Sequence, residues 1–393
     1  MFSSRLQWQL EDNRLTRAVA ARRAAGMPVL DLTEANPTRA GFAWEDAVLA
    51  RALGSAGNGI YDPDPRGKLS AREAVAAYYR ERGVTVSPEE IFLTASTSEG
   101  YGWLLKLLTD PGINGVLVPA PSYPLLQFLA QLENVNIRPY PLRFVEGRWR
   151  VDAAELAAAI DARTKAIFCV APNNPTGSVL DERDRTVLRD AAQKHGLALL
   201  VDEVFLDYGR EGNPVVSWAE EKTAPLFVLS GLSKVAVLPQ LKLGWIVVAG
   251  PEDWRKEAMA RLEFVADTYL SVGTPVQLGA EEILAAAEKV RTAIGQRLAA
   301  NEAAVRDWCA ASAHGLELLP REAGWYAVVR LPRGVDEEAL AVDLAGRDGV
   351  LVHPGYFFDF APEQGPHLVL SLLAREEEMR TALPPIEEAL RRH

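Results

Sequence analysis

The sequence predicts an α/β protein with a mostly parallel, doubly wound sheet in a large domain, followed by a smaller α+β domain. Short apolar runs alternate along the chain with longer amphipathic stretches, as strands and helices do in open α/β folds. The apolar runs do not alternate with polar residues, which is typical of strands buried on both faces. From about residue 274 the pattern changes to a long alanine-rich helical stretch and then to short β-type runs.

Each element of the large domain has a local signal. Apolar runs predict strands at 115–118, 165–171, 197–201, 226–229 and 243–248. Helices are predicted at 122–133 and at 181–195, and Gly196 stops the second of these. The pairs Ser70/Glu73 and Ser87/Glu90 have the spacing of a capping box, and the first opens a helix that ends near Gly83.

The end of the chain predicts a second, smaller domain. A helical stretch at 275–311 is followed by β-type runs at 325–331, 350–352 and 367–372. Residues 1 to about 47 are predicted to be irregular, and we expect them to pack with this domain. The expected division is therefore an N-terminal arm with part of the small domain (1–47), a large domain (48–280) and a small C-terminal domain (281–393). A length of 393 residues supports two domains, because it is long for one hydrophobic core.

Charge and composition exclude several classes of protein. A net charge of −11 does not provide the basic face that a nucleic-acid partner requires, and no apolar run approaches the length of a membrane span. The two cysteines, Cys169 and Cys309, argue against a disulfide framework and fit a reducing compartment. Residues 1–14 lack the apolar stretch of a signal peptide. We expect a cytoplasmic protein without a nucleic-acid or membrane partner, and we assign no residue to a metal.

Three polar side chains follow or end apolar runs in the middle of the chain. Asn174 lies in the turn 172–177, Asp202 ends the run 198–201, and Lys234 lies in the small-residue turn 230–234. Their amide, carboxylate and amine are the groups that a pyridoxal phosphate (PLP) site requires for a phenolate oxygen, a pyridinium nitrogen and a Schiff base. Taken singly, each has an ordinary alternative: a turn residue, a helix N-cap and a surface lysine. A lysine at the carboxyl edge of a sheet becomes a nucleophile once its pKa is lowered.

Two further features favour cofactor binding. Residues 94–100 form a run of small hydroxyl residues before the helical stretch 101–108, which predicts a phosphate cradle at a helix N-terminus. The alternative is a plain helix cap. Tyr123 lies in the segment Pro121-Ser122-Tyr123-Pro124, where its ring could lie on a flat cofactor or pack in the core.

The order of these motifs carries a family resemblance. Pro172-Asn173-Asn174-Pro175-Thr176-Gly177 and Ser230-Gly231-Leu232-Ser233-Lys234 resemble the motifs of the class I/II aminotransferases, enzymes of PLP-transferase fold type I similar to aspartate and alanine aminotransferases. The likeness runs from Asn36-Pro37 into the C-terminal domain. It implies that pyridoxal 5′-phosphate forms a Schiff base, an aldimine, with Lys234. It also implies that Asp202 faces the pyridine nitrogen and Asn174 the ring oxygen.

The resemblance implies roles for further residues. Tyr123 would stack on the ring, and Tyr61 would reach the phosphate of the neighbouring subunit, which implies a homodimer with shared sites. The expected phosphate-binding residues are Ser96, Thr97, Ser98, Ser230 or Ser233, and Lys242. The expected substrate-binding residues are Asn36, Arg39 and Asn174.

Three positions depart from the family pattern. Phe205 stands where the family usually has a tyrosine after the aspartate. The tyrosine hydroxyl is therefore missing, and Asn174 is left to bind the ring oxygen. Lys242 replaces the usual arginine, keeping the charge and losing its two-pronged geometry. Val369 stands where an arginine usually grips the substrate α-carboxylate. Arg39 and Arg375 are the candidate replacements, of which Arg39 is preferred, although it also reads as an exposed loop residue.

The leading functional prediction is a PLP-dependent aminotransferase acting on an amino acid and a 2-oxo acid, with Lys234 as the general base for the proton shift. The same machinery also supports a carbon–sulfur β-lyase or a cyclase. A third alternative is a non-catalytic binding module on this fold, against which the presence of Asn174, Asp202 and Lys234 counts.

Overall fold

A large mixed sheet forms the centre of the protein. The computed structural model describes residues 2–6, 8, 11–54, 57, 59–210, 212, 215–270 and 272–393. Within these ranges, eight strands form the large sheet in the order β2-β9-β8-β7-β6-β3-β4-β5. Their bounds are β2 Ile91–Thr94, β3 Gly115–Ala120, β4 Asn136–Val145, β5 Arg148–Val151, β6 Thr164–Val170, β7 Ala198–Asp202, β8 Leu226–Gly231 and β9 Gly244–Ala249. A further strand, β1 (Leu30–Asp31), precedes them in the chain.

The middle of this sheet is parallel and its edges are antiparallel. β4, β3, β6, β7 and β8 run parallel to their neighbours in this row, whereas β9 is antiparallel to both β8 and β2, and β5 is antiparallel to β4. The predicted fold class, a mostly parallel sheet with a smaller α+β part, is confirmed. The five strands expected from the apolar runs of the large domain are all present, with bounds that differ by a few residues.

Helices cover both faces of the sheet. Successive residues of the central strands point to opposite sides, so an uninterrupted apolar strand makes both faces apolar. Leu199, Val201 and Val228 belong to one buried cluster, and Leu200 and Phe227 belong to a second cluster. The helices of this part of the chain are α2 Asp46–Leu53, α3 Leu69–Arg80, α4 Thr97–Leu108, α5 Leu125–Leu132, α6 Ala153–Ala159, α7 Glu182–His195, α8 Leu232–Val235, α9 Glu252–Tyr269 and α10 Thr274–Leu278. Two filled faces are what the non-alternating apolar runs predict.

The C-terminal part of the chain contains a second sheet. It has the order β10-β11-β14-β13, with every described pair antiparallel. The strands of this sheet are β10 Glu317–Leu318, β11 Tyr326–Arg330, β13 His353–Pro354 and β14 His367–Ser371, and β12 Val350–Leu351 lies outside it. The helices are α11 Ala280–Ala311, α12 Glu337–Asp343 and α13 Glu376–Leu390. β1 pairs with β12, which joins the N-terminal segment to this part of the chain. The proposed domain boundaries stay predictions.

The N-terminal region corrects one expectation. Residues 1–47 were expected to be irregular, yet α1 (Arg14–Ala24) lies within them. The side chain of Asn13 caps this helix by accepting a 2.8 Å hydrogen bond from the Thr16 N–H. Most of the residues of α1 are alanine, arginine and leucine, which favour helices, so the signal was present in the sequence. Residues 1, 7, 9 and 10 of the expected arm lie outside the described part of the chain.

Local capping also differs from expectation at two places. α3 begins at Leu69, so Ser70 lies inside the helix and is not its cap. The N–H of the preceding residue, Lys68, instead donates a 2.6 Å hydrogen bond to Oε1 of Gln277, a partner too distant in sequence for a local pattern to identify. The Ser87/Glu90 capping box is present, but it starts a single 3₁₀ turn that leads directly into β2.

The long helical stretch expected at 275–311 is divided in two at Gly279, which lies between α10 and α11. A Cβ atom at Gly279 would lie 2.6 Å from the carbonyl oxygen of Ala52 in α2. The position therefore requires glycine because two backbones approach closely there.

Candidate active site

Asn174, Asp202 and Lys234 meet at one edge of the large sheet. The turn that holds Asn174 follows β6, Asp202 is the last residue of β7, and Lys234 lies in α8 directly after β8. These three strands are parallel neighbours, so their carboxyl ends meet at the same edge, where open α/β folds place ligands. All three side chains line a cavity of about 260 Å³. Its wall also includes Thr97, Tyr101, Ser122, Tyr123, Phe205, Ser233 and Tyr326.

Lys234 is held from both ends. Its carbonyl oxygen accepts a 2.7 Å hydrogen bond from the hydroxyl of Tyr208, which fixes the backbone of the short helix. Its Nζ lies 4.9 Å from the ring centre of Trp325 and 5.9 Å from that of Phe205. Burial lowers the pKa of Lys234 to about 8, and the negative charge of Asp202 opposes this shift. A larger fraction of neutral amine, the nucleophilic form, is therefore present near neutral pH than in an exposed lysine.

The carboxylate of Asp202 accepts two hydrogen bonds. One comes from the Val204 N–H at 2.9 Å to Oδ1, and the other comes from the hydroxyl of Tyr101 to Oδ2. Burial raises the pKa of Asp202, whereas these two donors and the charge of Lys234 oppose the rise. An ionised carboxylate offers about four acceptor sites, so capacity remains for a further donor in the cavity.

Tyr101 is a residue of the site that the sequence analysis missed. It was expected only as the first residue of a helical stretch, but α4 begins at Thr97, which places Tyr101 one turn inside the helix. From there it reaches Asp202 across the core. The available signal was the spacing from Thr97, since residues four apart lie on one face of a helix.

The turn that carries Asn174 is fixed by its neighbour. Oδ1 of Asn173 accepts hydrogen bonds from the N–H and hydroxyl of Thr176, at 3.3 and 2.8 Å, and the carbonyl of Asn173 accepts the Gly177 N–H at 2.9 Å. Gly177 has φ 65°, and a Cβ there would lie 2.3 Å from the Ala323 carbonyl oxygen. The described residues provide no partner for the buried Oδ1 of Asn174. One polar end of this amide is thus available to a bound molecule.

The N-terminus of α4 closes another side of the cavity. Thr97 and Ser233 both line the cavity. The hydroxyl of Ser96 caps the helix by accepting the Glu99 N–H at 3.1 Å, and it is therefore already engaged. Gly244 lies against this turn, where a Cβ would come within 3.1 Å of the Thr97 nitrogen. Glycine therefore allows the backbone of β9 to pack closely against the start of α4, and a helix N-terminus is the kind of place that binds anions.

The remaining predicted site residues lie away from the cavity lining. Tyr61 and the side chain of Arg39 are 79% and 77% exposed, and Arg39 lies 3.8 Å from a carboxylate oxygen of Glu34. Lys242 is also exposed. The Oγ of Ser230 is buried, without a hydrogen-bond partner in the described ranges. Among the residues that the structure describes, those predicted for the site but absent from the cavity wall are Asn36, Arg39, Tyr61, Ser96, Ser98, Ser230 and Lys242.

The wall of the cavity carries little positive charge. Lys234 is the only lysine or arginine among its lining residues in the described part of the chain. Val369 is fully buried in β14, where it pairs with Val328 on one side and His353 on the other. Tyr326 lines the cavity together with Asn174, and burial raises the pKa of Tyr326. The substrate side is therefore polar and aromatic, without a guanidinium on the C-terminal strand.

Comparison with known proteins identifies the family to which this site belongs. The family model "Aminotransferase class I and II" matches residues 29–382. A probable aminotransferase TAT1 of Arabidopsis thaliana is 30% identical over 271 residues, which cover 67% of this chain and 60% of the relative. An alanine aminotransferase of Mycobacterium tuberculosis is 28% identical over 372 residues, covering 92% of this chain and 85% of the relative. Over the first curated relatives, the match spans 45% to 60% of their own length.

A solved structure supports the same assignment at the level of the fold. An alanine aminotransferase from Pyrococcus furiosus superposes with a TM-score of 0.89 at 23% identity, with all of both chains covered. The family model covers most of the sequence, and the lysine, aspartate and asparagine expected from the resemblance share one cavity. The chain belongs to the class I and II aminotransferase family.

Proposed function

We propose that this protein is a PLP-dependent aminotransferase that moves an amino group between an amino acid and a 2-oxo acid. The observation that carries the proposal is the convergence of Asn174, Asp202 and Lys234 on one cavity at the carboxyl ends of three neighbouring strands. Membership of the aminotransferase family supports amino-group transfer as the reaction. The names of the relatives, most of which are aminotransferases, agree with it.

The polar groups of the cavity fit pyridoxal 5′-phosphate. Asn174 lines the cavity, and its amide NH2 group is the donor that a phenolate oxygen of the ring requires, whereas its buried Oδ1, which no described residue satisfies, is an acceptor for a donor of the bound molecule. Asp202 has acceptor capacity left for a protonated ring nitrogen. Thr97 lines the cavity at the N-terminus of α4, where the helix dipole and the first N–H groups favour a phosphate. When bound, PLP supplies a reactive aldehyde and an electron-withdrawing ring.

In this proposal Asp202 and Lys234 have distinct tasks. Asp202 holds a proton on the ring nitrogen, because a nearby negative charge favours the positive form of its partner. Tyr101 and the Val204 N–H keep the carboxylate ionised and oriented. Lys234 uses its amine first as a nucleophile and then as a carrier of the substrate proton, which requires a pKa near the working pH.

The aromatic residues around the lysine give this chemistry a dry environment. Phe205 and Trp325 present their rings to Lys234, and Trp325 is fully buried. Water exclusion strengthens the attraction between Lys234 and Asp202, since the local dielectric constant is low. Tyr123, which is about half exposed at the mouth of the cavity, is proposed as the residue that stacks on the ring.

For the phosphate, Thr97 and Ser233 are the side chains that already face the cavity. Ser96, Ser98, Ser230 and Lys242 are proposed to support it from outside the lining. Ser96 does so by starting α4, whose N-terminus attracts negative charge. Lys242 is exposed and has φ 55°, and its positive side chain would contribute charge.

Homodimer formation is part of the proposal. Tyr61 is an aromatic residue with 79% of its surface exposed, and Ile60, Phe264 and Leu270 are also largely exposed. Covering such residues with a second copy would bury apolar surface and bring Tyr61 to the partner's phosphate site. Sedimentation equilibrium of the cofactor-loaded protein tests this part.

In the described residues no helix is apolar and long enough to span a membrane. We propose a cytoplasmic location.

The amino acid carboxylate requires a partner other than Val369. Burying this charge without a partner costs several kcal/mol. We propose Arg39, with Asn36 and Asn174 nearby, as the anchor. Ala35 lines the cavity, so the loop that carries Asn36 and Arg39 borders the substrate space. Arg39 would have to leave Glu34, a weak and exposed contact at 3.8 Å, and turn inward.

A half-reaction screen tests the proposed function. Single amino acids are added to the PLP-loaded protein without a 2-oxo acid, and the visible spectrum is followed. An aminotransferase converts its cofactor from the aldehyde to the amine form and releases the matching 2-oxo acid in equal amount. A lyase would instead release products over many turnovers, and the amine form of its cofactor would not accumulate. If no amino acid converts the cofactor, aminotransferase activity is excluded for this protein.

A further inference from the structure

A second and larger cavity, separate from the one around Lys234, lies between α11 and the segment that follows β7. Its volume is about 550 Å³, within the range of small-molecule sites. None of its lining residues lines the cavity of Lys234. Four arginines, Arg210, Arg291, Arg306 and Arg321, contribute to its wall. This concentration of positive charge stands out in a chain whose net charge is −11.

The charges of this arginine cavity do not balance. Arg306 and Arg321 both donate to Glu302, the first at 2.8 Å and the second through Nε at 3.0 Å. Arg210 lies 3.8 Å from the same carboxylate. One negative charge therefore faces three guanidinium groups.

The fourth guanidinium increases the imbalance. Arg291 donates to the carbonyl oxygen of Val235 at 3.1 Å, and no described ion pair involves it. Asp207 also lines the cavity, but its carboxylate accepts hydrogen bonds from Arg82 at 2.7 Å and from the hydroxyl of Tyr78 at 3.1 Å. Asp207 and Arg82 thus neutralise each other. The cavity retains an excess of about three positive charges.

The wall of this cavity is bonded directly to the backbone of the proposed catalytic lysine. Tyr208, a lining residue, donates its hydroxyl to the carbonyl oxygen of Lys234 at 2.7 Å. Arg291 donates to the next carbonyl, that of Val235. The two residues therefore hold two successive carbonyl groups of α8. A ligand that draws Arg291 away from Val235 would remove one of these two supports.

We propose that this cavity binds a small molecule with two or more negative charges, carried on phosphate or carboxylate groups, and that its binding is coupled to the position of Lys234. Guanidinium groups favour such ligands because their paired N–H donors match the oxygens of both groups. The side chains of Arg210 and Arg306 are half exposed, so they can turn from Glu302 to a ligand at low cost. The binding itself does not depend on the proposed aminotransferase activity.

Calorimetric titration of the PLP-loaded protein tests the binding. Inorganic pyrophosphate and citrate are the two probes, which separate preference for phosphate from preference for carboxylate, and acetate at matched ionic strength is the control. Loading with PLP would occupy the proposed phosphate site near Thr97, so a signal from that site is avoided. We expect saturable binding of at least one probe and none of acetate. Absence of binding by both probes at millimolar concentration would overturn the proposal.

Variants locate the site. Arg306→Gln and Arg291→Gln should each weaken binding by about tenfold or more, since each removes a charged hydrogen-bond donor. Arg261→Gln is the matched control, because Arg261 is an exposed arginine of α9 that pairs only with Glu257 among the described ion pairs. Equal binding by all three variants would show that the probe binds elsewhere and would overturn the assignment. Circular dichroism confirms that each variant is folded.

Coupling to Lys234 has its own readout. The visible absorption of the bound cofactor changes with pH, and the midpoint of this change reports the surroundings of the lysine. A saturating probe should shift the midpoint in the wild type, and the shift should be smaller in Arg291→Gln. A bound probe that leaves the midpoint unchanged would contradict the coupling. This measurement requires no turnover, so failure of the proposed activity and failure of this inference are distinguishable.

Discussion

The hydroxyl of Tyr101 donates a hydrogen bond to the buried carboxylate of Asp202, across the space between α4 and the end of β7. The same helix presents its N-terminus to the cavity through Thr97. One helix thus supports both ends of the proposed cofactor site, the phosphate end by its first residue and the ring-nitrogen end by a residue one turn later. Burial raises the pKa of Tyr101 strongly, so it stays a donor at all ordinary pH values.

Replacing Tyr101 by phenylalanine should lower turnover about tenfold while leaving the fold and the bound cofactor in place. A hydrogen bond to a charged group contributes about 1.5–3 kcal/mol, and its loss lets Asp202 become neutral more easily. Tyr140→Phe is the matched control, because Tyr140 also donates a buried hydrogen bond, at 2.8 Å to the Phe168 carbonyl, but lies outside the cavity wall. Equal loss of turnover in both variants would contradict the role given to Tyr101.

Asp202→Asn should keep the cofactor bound to Lys234 and remove most of the activity. An amide has no charge with which to hold a proton on the ring nitrogen, so the ring withdraws electrons less well. Absorption spectra confirm cofactor loading, and steady-state kinetics measure the loss. Turnover close to that of the wild type, in a folded and loaded variant, would show that Asp202 does not serve the ring nitrogen.

The lowered pKa of Lys234 predicts a pH dependence of stability in the cofactor-free protein. With a folded pKa of about 8 and an unfolded one of about 10.4, the unfolded chain holds more protons between these values. The free energy of unfolding therefore rises with pH across this window. Below pH 8 the lysine is charged in both states, so burying its charge destabilises the folded protein by the full amount. Lys234→Met should be more stable than the wild type at pH 7, and the difference should narrow toward pH 10. Denaturant unfolding at several pH values measures the difference in unfolding free energy between the two proteins. A difference that does not change with pH would refute the lowered pKa of Lys234.

Arg39→Ala should raise the KM for both the amino acid and the 2-oxo acid by about tenfold and leave cofactor binding intact. The reason is that both substrates carry the same carboxylate, whose charged hydrogen bond would be lost. Arg375→Ala tests the other candidate anchor, an exposed arginine at the start of α13, and should leave both KM values unchanged. An unchanged KM would exclude Arg39 as the anchor. Conversion of simple amines by the wild type would exclude any carboxylate anchor.

Much of the fold was predictable because its signals are local. The central strands are buried on both faces, so they appear as uninterrupted apolar runs, and Asp202 and Lys234 stand out as polar residues just after such runs. The antiparallel direction of β9 was not predictable, because strand direction depends on which neighbour the strand meets. α1 was missed even though its residues favour a helix.

Contacts between distant residues account for most of what the sequence could not reveal in the site. Tyr101 and Asp202 are 101 positions apart, and no periodicity links them. The break at Gly279 depends on the backbone of α2. The arginine cavity collects residues from three separate segments, and each of its arginines alone reads as an ordinary exposed charge. Such features follow from packing, which a one-dimensional pattern does not contain.

The proposed active site is tested most directly by locating the lysine to which the cofactor is attached. The PLP-saturated protein is reduced with borohydride and digested, and the labelled peptide is mapped by mass spectrometry. We expect one label, on Lys234, and none on Lys242, which lies eight residues later and outside the cavity wall. Lys234→Ala should carry no label and should lose at least the 10²–10⁴-fold, in order of magnitude, that general base catalysis contributes. A label on another lysine, or no label on the saturated wild type, would contradict the proposed active site.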